Sequence, residues 1–238
     1  SPDEIEYLLS ETNRAFPSAK LSSTDIHYAY AGVRPLPKRE KGPESAITRK
    51  HIILKHRKQA RGLISIIGGK LTTYRNLAEQ AVDKAARLID SESGPCRTRK
   101  EPLPGSIELE EAVESLKKNS GLSLQCVERL LSIYGSRSAG IANMAKLGEP
   151  GGFVDDAETA LAAEVIHAIR CEFAKTLIDI IHRRMMVGLL PDQGRVMVKE
   201  IARIAAGELG WDKVETKKQF ARLEDYNARF RPVIDNET

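Results

Sequence analysis

The sequence predicts an α+β protein, with antiparallel strands in a first part followed by an all-helical domain. Three observations carry this. Runs of β-branched and aromatic residues bounded by turn signals occur at 25–36, 51–56 and 63–67. From Thr72 onward, apolar residues recur at helical spacing. Between the two parts, 94–105 holds three prolines and several basic residues and reads as a linker. The 238 residues suffice for two small domains, and 41% hydrophobic with 29% charged residues is ordinary for a globular chain.

Ser1-Pro2-Asp3-Glu4 opens a helix: serine caps, proline suits the first turn, and acids complement the helix dipole. Asp25 to Leu36 then reads as a strand, ended by Pro35, which holds Arg34 extended at the strand end. His51 to His56 and Leu63 to Ile67 read as hairpin partners around a turn at 58–62. Antiparallel pairing would bring Arg49 close to Gly68–Lys70. Arg34, Arg49 and Lys70 can therefore converge on one anion, with forked guanidiniums and a point charge. The alternative is three solvated cations on a basic surface.

A helix over 72–89 follows, with Leu77, Ala81, Val82, Ala85 and Ile89 at its period. Further helices are expected at 109–118, 123–134 and 138–146, and Gly148 to Gly152 breaks the pattern. Leu161, Val165, Ile169, Phe173, Leu177 and Ile181 form one long apolar stripe, read as core packing. Helix 193–208 stops at Gly210; Asp212 and Glu215 have capping-box spacing before a last helix carrying Phe220, Leu223, Tyr226 and Phe230.

The junction Leu63-Ile-Ser-Ile-Ile-Gly68-Gly69-Lys70-Leu71-Thr72-Thr73 is the most informative stretch. A strand runs into two glycines, which let a ligand approach the backbone, then into a helix start with unpaired amides and a partial positive charge. Such a junction can hold an anion or an electron-rich ring. It can also be a plain turn with an exposed lysine. Neither the phosphate-loop spacing nor the dinucleotide glycine fingerprint occurs in the chain.

The segments YAGVRPL, AITR and GGKLTTYRNLAEQAV resemble the C-terminal half of FAD-dependent, quinone-linked glycerol-3-phosphate dehydrogenases, and EVIHAIRCEFAKTLIDIIHRR resembles the helical cap domain of that family. The likeness runs over nearly the whole chain in the family's order. It implies that 1–93 is the C-terminal part of an FAD/substrate-binding domain, 94–105 a linker and 106–238 the cap. It implies that Arg34 and Arg49 hold the phosphate of glycerol 3-phosphate, and that Lys70, next to substrate and flavin, is catalytic and also binds that phosphate. Gly68, Gly69, Leu71 and Thr72 then pack against the FAD ring system. The implied reaction oxidises glycerol 3-phosphate to dihydroxyacetone phosphate by hydride transfer to FAD, with electrons passing to a quinone. A helix start near Thr72 and Thr73 would stabilise negative charge on the reduced ring. No proton acceptor is identified; His27 is a candidate only by residue type. The family's N-terminal FAD motif is absent, so the chain is expected to need the missing N-terminal half and not to act alone.

Residues 1–100 carry 19 basic and 11 acidic side chains, and the remainder 18 and 22. The positive excess on the presumed substrate side fits a phosphate ligand or an anionic membrane surface. Nucleic acid is discounted, since no recognised binding motif appears. Cys96, Cys126 and Cys171 have no C-x-x-C spacing; the last two read as small buried residues. No metal site is expected at His167 or His182, and Arg183 and Arg184 read as a salt-bridged or solvated helix end. The expected location is cytoplasmic, with possible peripheral attachment at the inner membrane face. Two other readings stay open: the sister oxidase, which passes the same electrons to oxygen, and a non-catalytic helical interaction module.

Overall fold

The computed structural model describes residues 1–33, 50–56, 58, 60–92, 94–119, 121–147 and 150–231. The chain forms two compact units, one comprising Ser1–Tyr30 with Pro104–Thr238 and the other Ala31–Leu103.

In the smaller unit, β1 (Ile52–Lys55) pairs antiparallel with β2 (Ile64–Ile67), with Ile52 opposite Ile67 and Lys55 opposite Ile64. The hairpin expected between 51 and 67 is thus present. A 3-10 turn, Leu71–Thr73, leads into α2 (Tyr74–Ala86). Two polar bonds hold α2 on the hairpin. Lys84 Nζ donates to the Ile53 carbonyl at 3.1 Å, and His51 Nε2 lies 3.1 Å from Gln80 Oε1.

The larger unit opens with α1 (Pro2–Ala15), where the Ser1 hydroxyl and amino group both bond to the Glu4 carboxylate. None of its residues is buried. The expected strand at 25–36 does not form over its described part. Residues 26–33 are irregular, because their partner is a helix end rather than a strand: the Ala29 amide donates to the Phe230 carbonyl at 2.9 Å, and Tyr28 stacks on Phe230 at 4.4 Å.

The remaining helices are α3 (Leu109–Asn119), α4 (Leu124–Tyr134), α5 (Ser138–Lys146), α6 (Ala162–Glu172), α7 (Val198–Leu209) and α8 (Lys213–Ala228). Ser123 caps α4 by accepting from the Cys126 amide at 3.2 Å, and Asp212 caps α8 by accepting from the Glu215 amide at 2.7 Å. Gly210, at φ 68°, ends α7 in the left-handed conformation that favours glycine. The core gathers α6, α7 and the segment between them: Val165, Ala168, Leu177, Ile180, Ile181, Met185, Ile201 and Ala205 are buried together.

The apolar stripe from Leu161 to Ile181 is not one helix. It breaks at Phe173, which has φ 59° and is 82% exposed. Asp179 then caps a new start by accepting from the Lys175 and Thr176 amides and the Thr176 hydroxyl. The chain continues as a π-helical segment, Asp179–Arg184. Helix 193–208 likewise starts later than expected, since the Asp192 carboxylate holds the Gly194 and Val196 amides in a preceding turn. Cys126 is buried as expected, whereas Cys171 is exposed at the end of α6. No helix among the described residues is long and apolar enough to cross a membrane.

Candidate functional site

The glycine junction is assembled by the hairpin. Continuing past the Ile52–Ile67 pair, β1 is preceded by His51 and β2 runs into Gly68 and Gly69, at φ 72° and 107°. Both angles lie where side chains are disfavoured. A Cβ on Gly69 would sit 3.5 Å from His51 Cβ and 3.6 Å from Leu77 Cδ2. Those are ordinary contacts, so the backbone angle is what requires glycine there.

Lys70 is extended, at φ −112° and ψ 144°, exposed, and pairs with no carboxylate among the described residues. Its carbonyl accepts from both the amide and the hydroxyl of Thr73 at 3.0 Å, which folds the chain into the 3-10 turn. Leu71 and Thr72 begin this turn, and their amides are the orphan donors every helix start leaves. Leu71 is 88% exposed. The structure therefore brings Gly68, Gly69, Lys70, Leu71 and Thr72 into one helix-opening run, half-buried at Gly68 and exposed from Gly69 onward. Arg34 and Arg49 lie outside the described residues.

The larger unit holds a polar cluster that sequence reasoning missed. Glu164 is fully buried in α6. Arg129 Nη1 lies 2.8 Å from both of its oxygens, the Tyr134 hydroxyl donates at 2.9 Å and the Leu161 amide at 2.7 Å. Burial pushes the Glu164 carboxyl up, opposed by the Arg129 charge and the four hydrogen bonds. Burial, reinforced by Glu164, raises the Tyr134 hydroxyl strongly, and burial raises the Cys126 thiol to about 11. The signal available in the sequence was a lone acidic residue, Glu164, inside an apolar run.

His167 and His182 are structural by geometry. His182 Nε2 bonds to Asn227 Oδ1 at 2.6 Å, and its ring meets Tyr226 edge-on at 5.0 Å. His167 meets Tyr134 edge-on at 5.7 Å, and its Nε2 lies 3.8 Å from Glu172. Burial lowers both imidazoles. Arg183 pairs with Asp179 and lies over the Tyr226 ring, while Arg184 Nε donates to the Glu172 carbonyl at 2.9 Å. His27 lies in the larger unit and the glycine junction in the smaller.

The smaller unit thus carries a glycine turn that opens a helix on a hairpin, and the larger unit is a bundle of capped helices. The model of the C-terminal domain of alpha-glycerophosphate oxidase matches residues 96–216, just over half the chain, and the chain belongs to that family. Its relatives include a glycerol-3-phosphate dehydrogenase of Synechocystis sp., 35% identical over 95% of this chain and 42% of the relative. One from Mycobacterium leprae is 32% identical over 97% of this chain and 39% of the relative. The solved glycerol-3-phosphate dehydrogenase of Bacillus halodurans, complexed with FAD, superposes with a TM-score of 0.75 at 28% identity, over 100% of this chain and 47% of that one. The chain thus spans about two fifths of the length of these curated relatives.

Proposed function

We propose that this chain is part of a flavoprotein that oxidises sn-glycerol 3-phosphate to dihydroxyacetone phosphate, with electrons passing on to a quinone. The single observation that carries the reading is that the whole chain aligns with a glycerol-3-phosphate dehydrogenase complexed with FAD. The glycine junction fits a flat ring: two consecutive residues lack a Cβ, hold positive φ and are followed by a helix start. Gly68, Gly69, Leu71 and Thr72 would line FAD. Bound there, the flavin supplies the hydride acceptor. The chain's own part is to grip and orient. Lys70 is an exposed cation at the turn that pairs with no carboxylate among the described residues, suited to a phosphoryl oxygen and to a developing negative charge.

Arg34 and Arg49 complete the proposed phosphate grip. We place the protein in the cytoplasm, with peripheral attachment at the inner face of the membrane giving access to a quinone; the positive excess of residues 1–100 supports that attachment.

The family's name favours one second reading, an oxidase that passes the electrons to oxygen. The complete gene product tests both. A yellow protein that reduces a quinone dye with glycerol 3-phosphate supports the dehydrogenase. Peroxide formation in air, without dye reduction, supports the oxidase. A colourless product with neither activity refutes the flavoprotein reading.

A further inference from the structure

The turn end of the hairpin, opposite the glycine junction, holds a recess of about 310 Å³ lined by Lys55, His56, Arg61, Gly62, Leu63 and Leu88. Among the described residues, Lys55, His56 and Arg61 line it and no carboxylate does. Elsewhere many arginines meet an acidic partner, such as Arg75 with Glu79 and Arg170 with Glu208. Lys55 and Arg61 pair with no carboxylate among the described residues, nor does Lys58 on the same turn.

The recess is built rather than incidental. The His56 amide donates to the Leu63 carbonyl at 3.0 Å, and the Leu63 amide to the Ala60 carbonyl at 3.1 Å. His56 Nε2 lies 2.9 Å from the Ser65 hydroxyl, which fixes the ring and leaves Nδ1 without a partner among the described residues. Leu63 and Leu88 give the recess an apolar wall.

Lys55 and Arg61 together bring two positive charges to the recess. A forked guanidinium, an ammonium and an imidazole suit the tetrahedral array of oxygens on a phosphate group.

We propose that this recess is a second anion site, separate from the glycine junction, that binds a phosphate group. The group can belong to a free phosphate compound or to a lipid headgroup. Titrating the full chain with inorganic phosphate at constant ionic strength, while following the His56 ring by NMR, reads the site directly. A saturable His56 shift is expected, absent with chloride. Lys55→Gln/Arg61→Gln should weaken it about tenfold or more, while Lys70→Ala leaves it in place. Amide spectra of the double variant establish that the hairpin still folds.

A second arm mixes the chain with vesicles of phosphatidylglycerol and phosphatidylcholine in equal parts. Sedimentation with these vesicles that the double variant loses, without a response to free phosphate, assigns the site to a headgroup. Absence of both responses, or a double variant that binds like the wild type, overturns the proposal.

Discussion

Arg129 Nη1 lies 2.8 Å from each carboxylate oxygen of Glu164, and its Nη2 lies 2.6 Å from the Met185 carbonyl. One guanidinium thus ties α4 to α6 and to the end of the π-helical segment. Glu164 is fully buried and the Arg129 side chain only 18% exposed. Removing one partner of such a pair costs about 3–5 kcal/mol, because the remaining charge is stranded. Arg129→Leu should lower the urea-unfolding free energy by that amount, and Arg129→Leu/Glu164→Leu should recover part of it. A loss below about 1 kcal/mol, the range of surface pairs, would show that the cluster is not energetically buried.

Acid should destabilise the protein through His167 and His182. Burial depresses both imidazoles, and His167 Nε2 and His182 Nδ1 are buried without a hydrogen-bond partner among the described residues. The folded state therefore binds fewer protons than the unfolded chain. This stability is fully present above the unfolded histidine pKa of about 6.5 and is lost as pH falls through it. Thermal melts between neutral pH and mildly acid pH should show a falling midpoint, smaller in His182→Gln. An unchanged slope in that variant would contradict the assignment.

Gly69→Ala should strain the helix-opening turn without a steric clash. At φ 107° the cost is backbone strain of about 1–3 kcal/mol. Amide exchange across Ile52–Lys55 and Ile64–Ile67 should quicken, with the helical unit unaffected. Wild-type protection across both strands would show that the turn tolerates a side chain.

Much of this architecture was legible because its signals are local. Ser123 and Asp212 cap helices through bonds to residues three positions on, and Gly210 stops one through its own backbone angle. The hairpin and the glycine junction are also local, so Gly68 to Thr72 could be singled out from sequence. Long-range terms decided the rest. The segment after Asp25 has strand composition, yet its partner is Phe230, far along the chain. Phe173 sits on an apolar period, but the Asp179 cap restarts the helix and leaves its ring in solvent. The partners of Glu164 had no local signal, because Arg129 and Tyr134 approach it from another helix.

The exposed ring of Phe173 allows a stabilising substitution. Phe173→Gly removes a side chain from a left-handed position at the end of α6. A gain of about 0.5–1 kcal/mol is expected, since the strained residue buries little. Denaturant titration checks it, and a loss exceeding 1 kcal/mol, in the range of core truncations, would reveal packing against that ring.

The most direct test of the proposed function is anaerobic reduction of bound FAD in the complete protein. Glycerol 3-phosphate should bleach the flavin absorbance and glycerol should not. Arg34→Ala should weaken substrate use by about 2–4 kcal/mol in kcat/KM with little change in Tm. Bleaching by glycerol and glycerol 3-phosphate alike, or a wild-type response in Arg34→Ala, would contradict a phosphate grip on this chain.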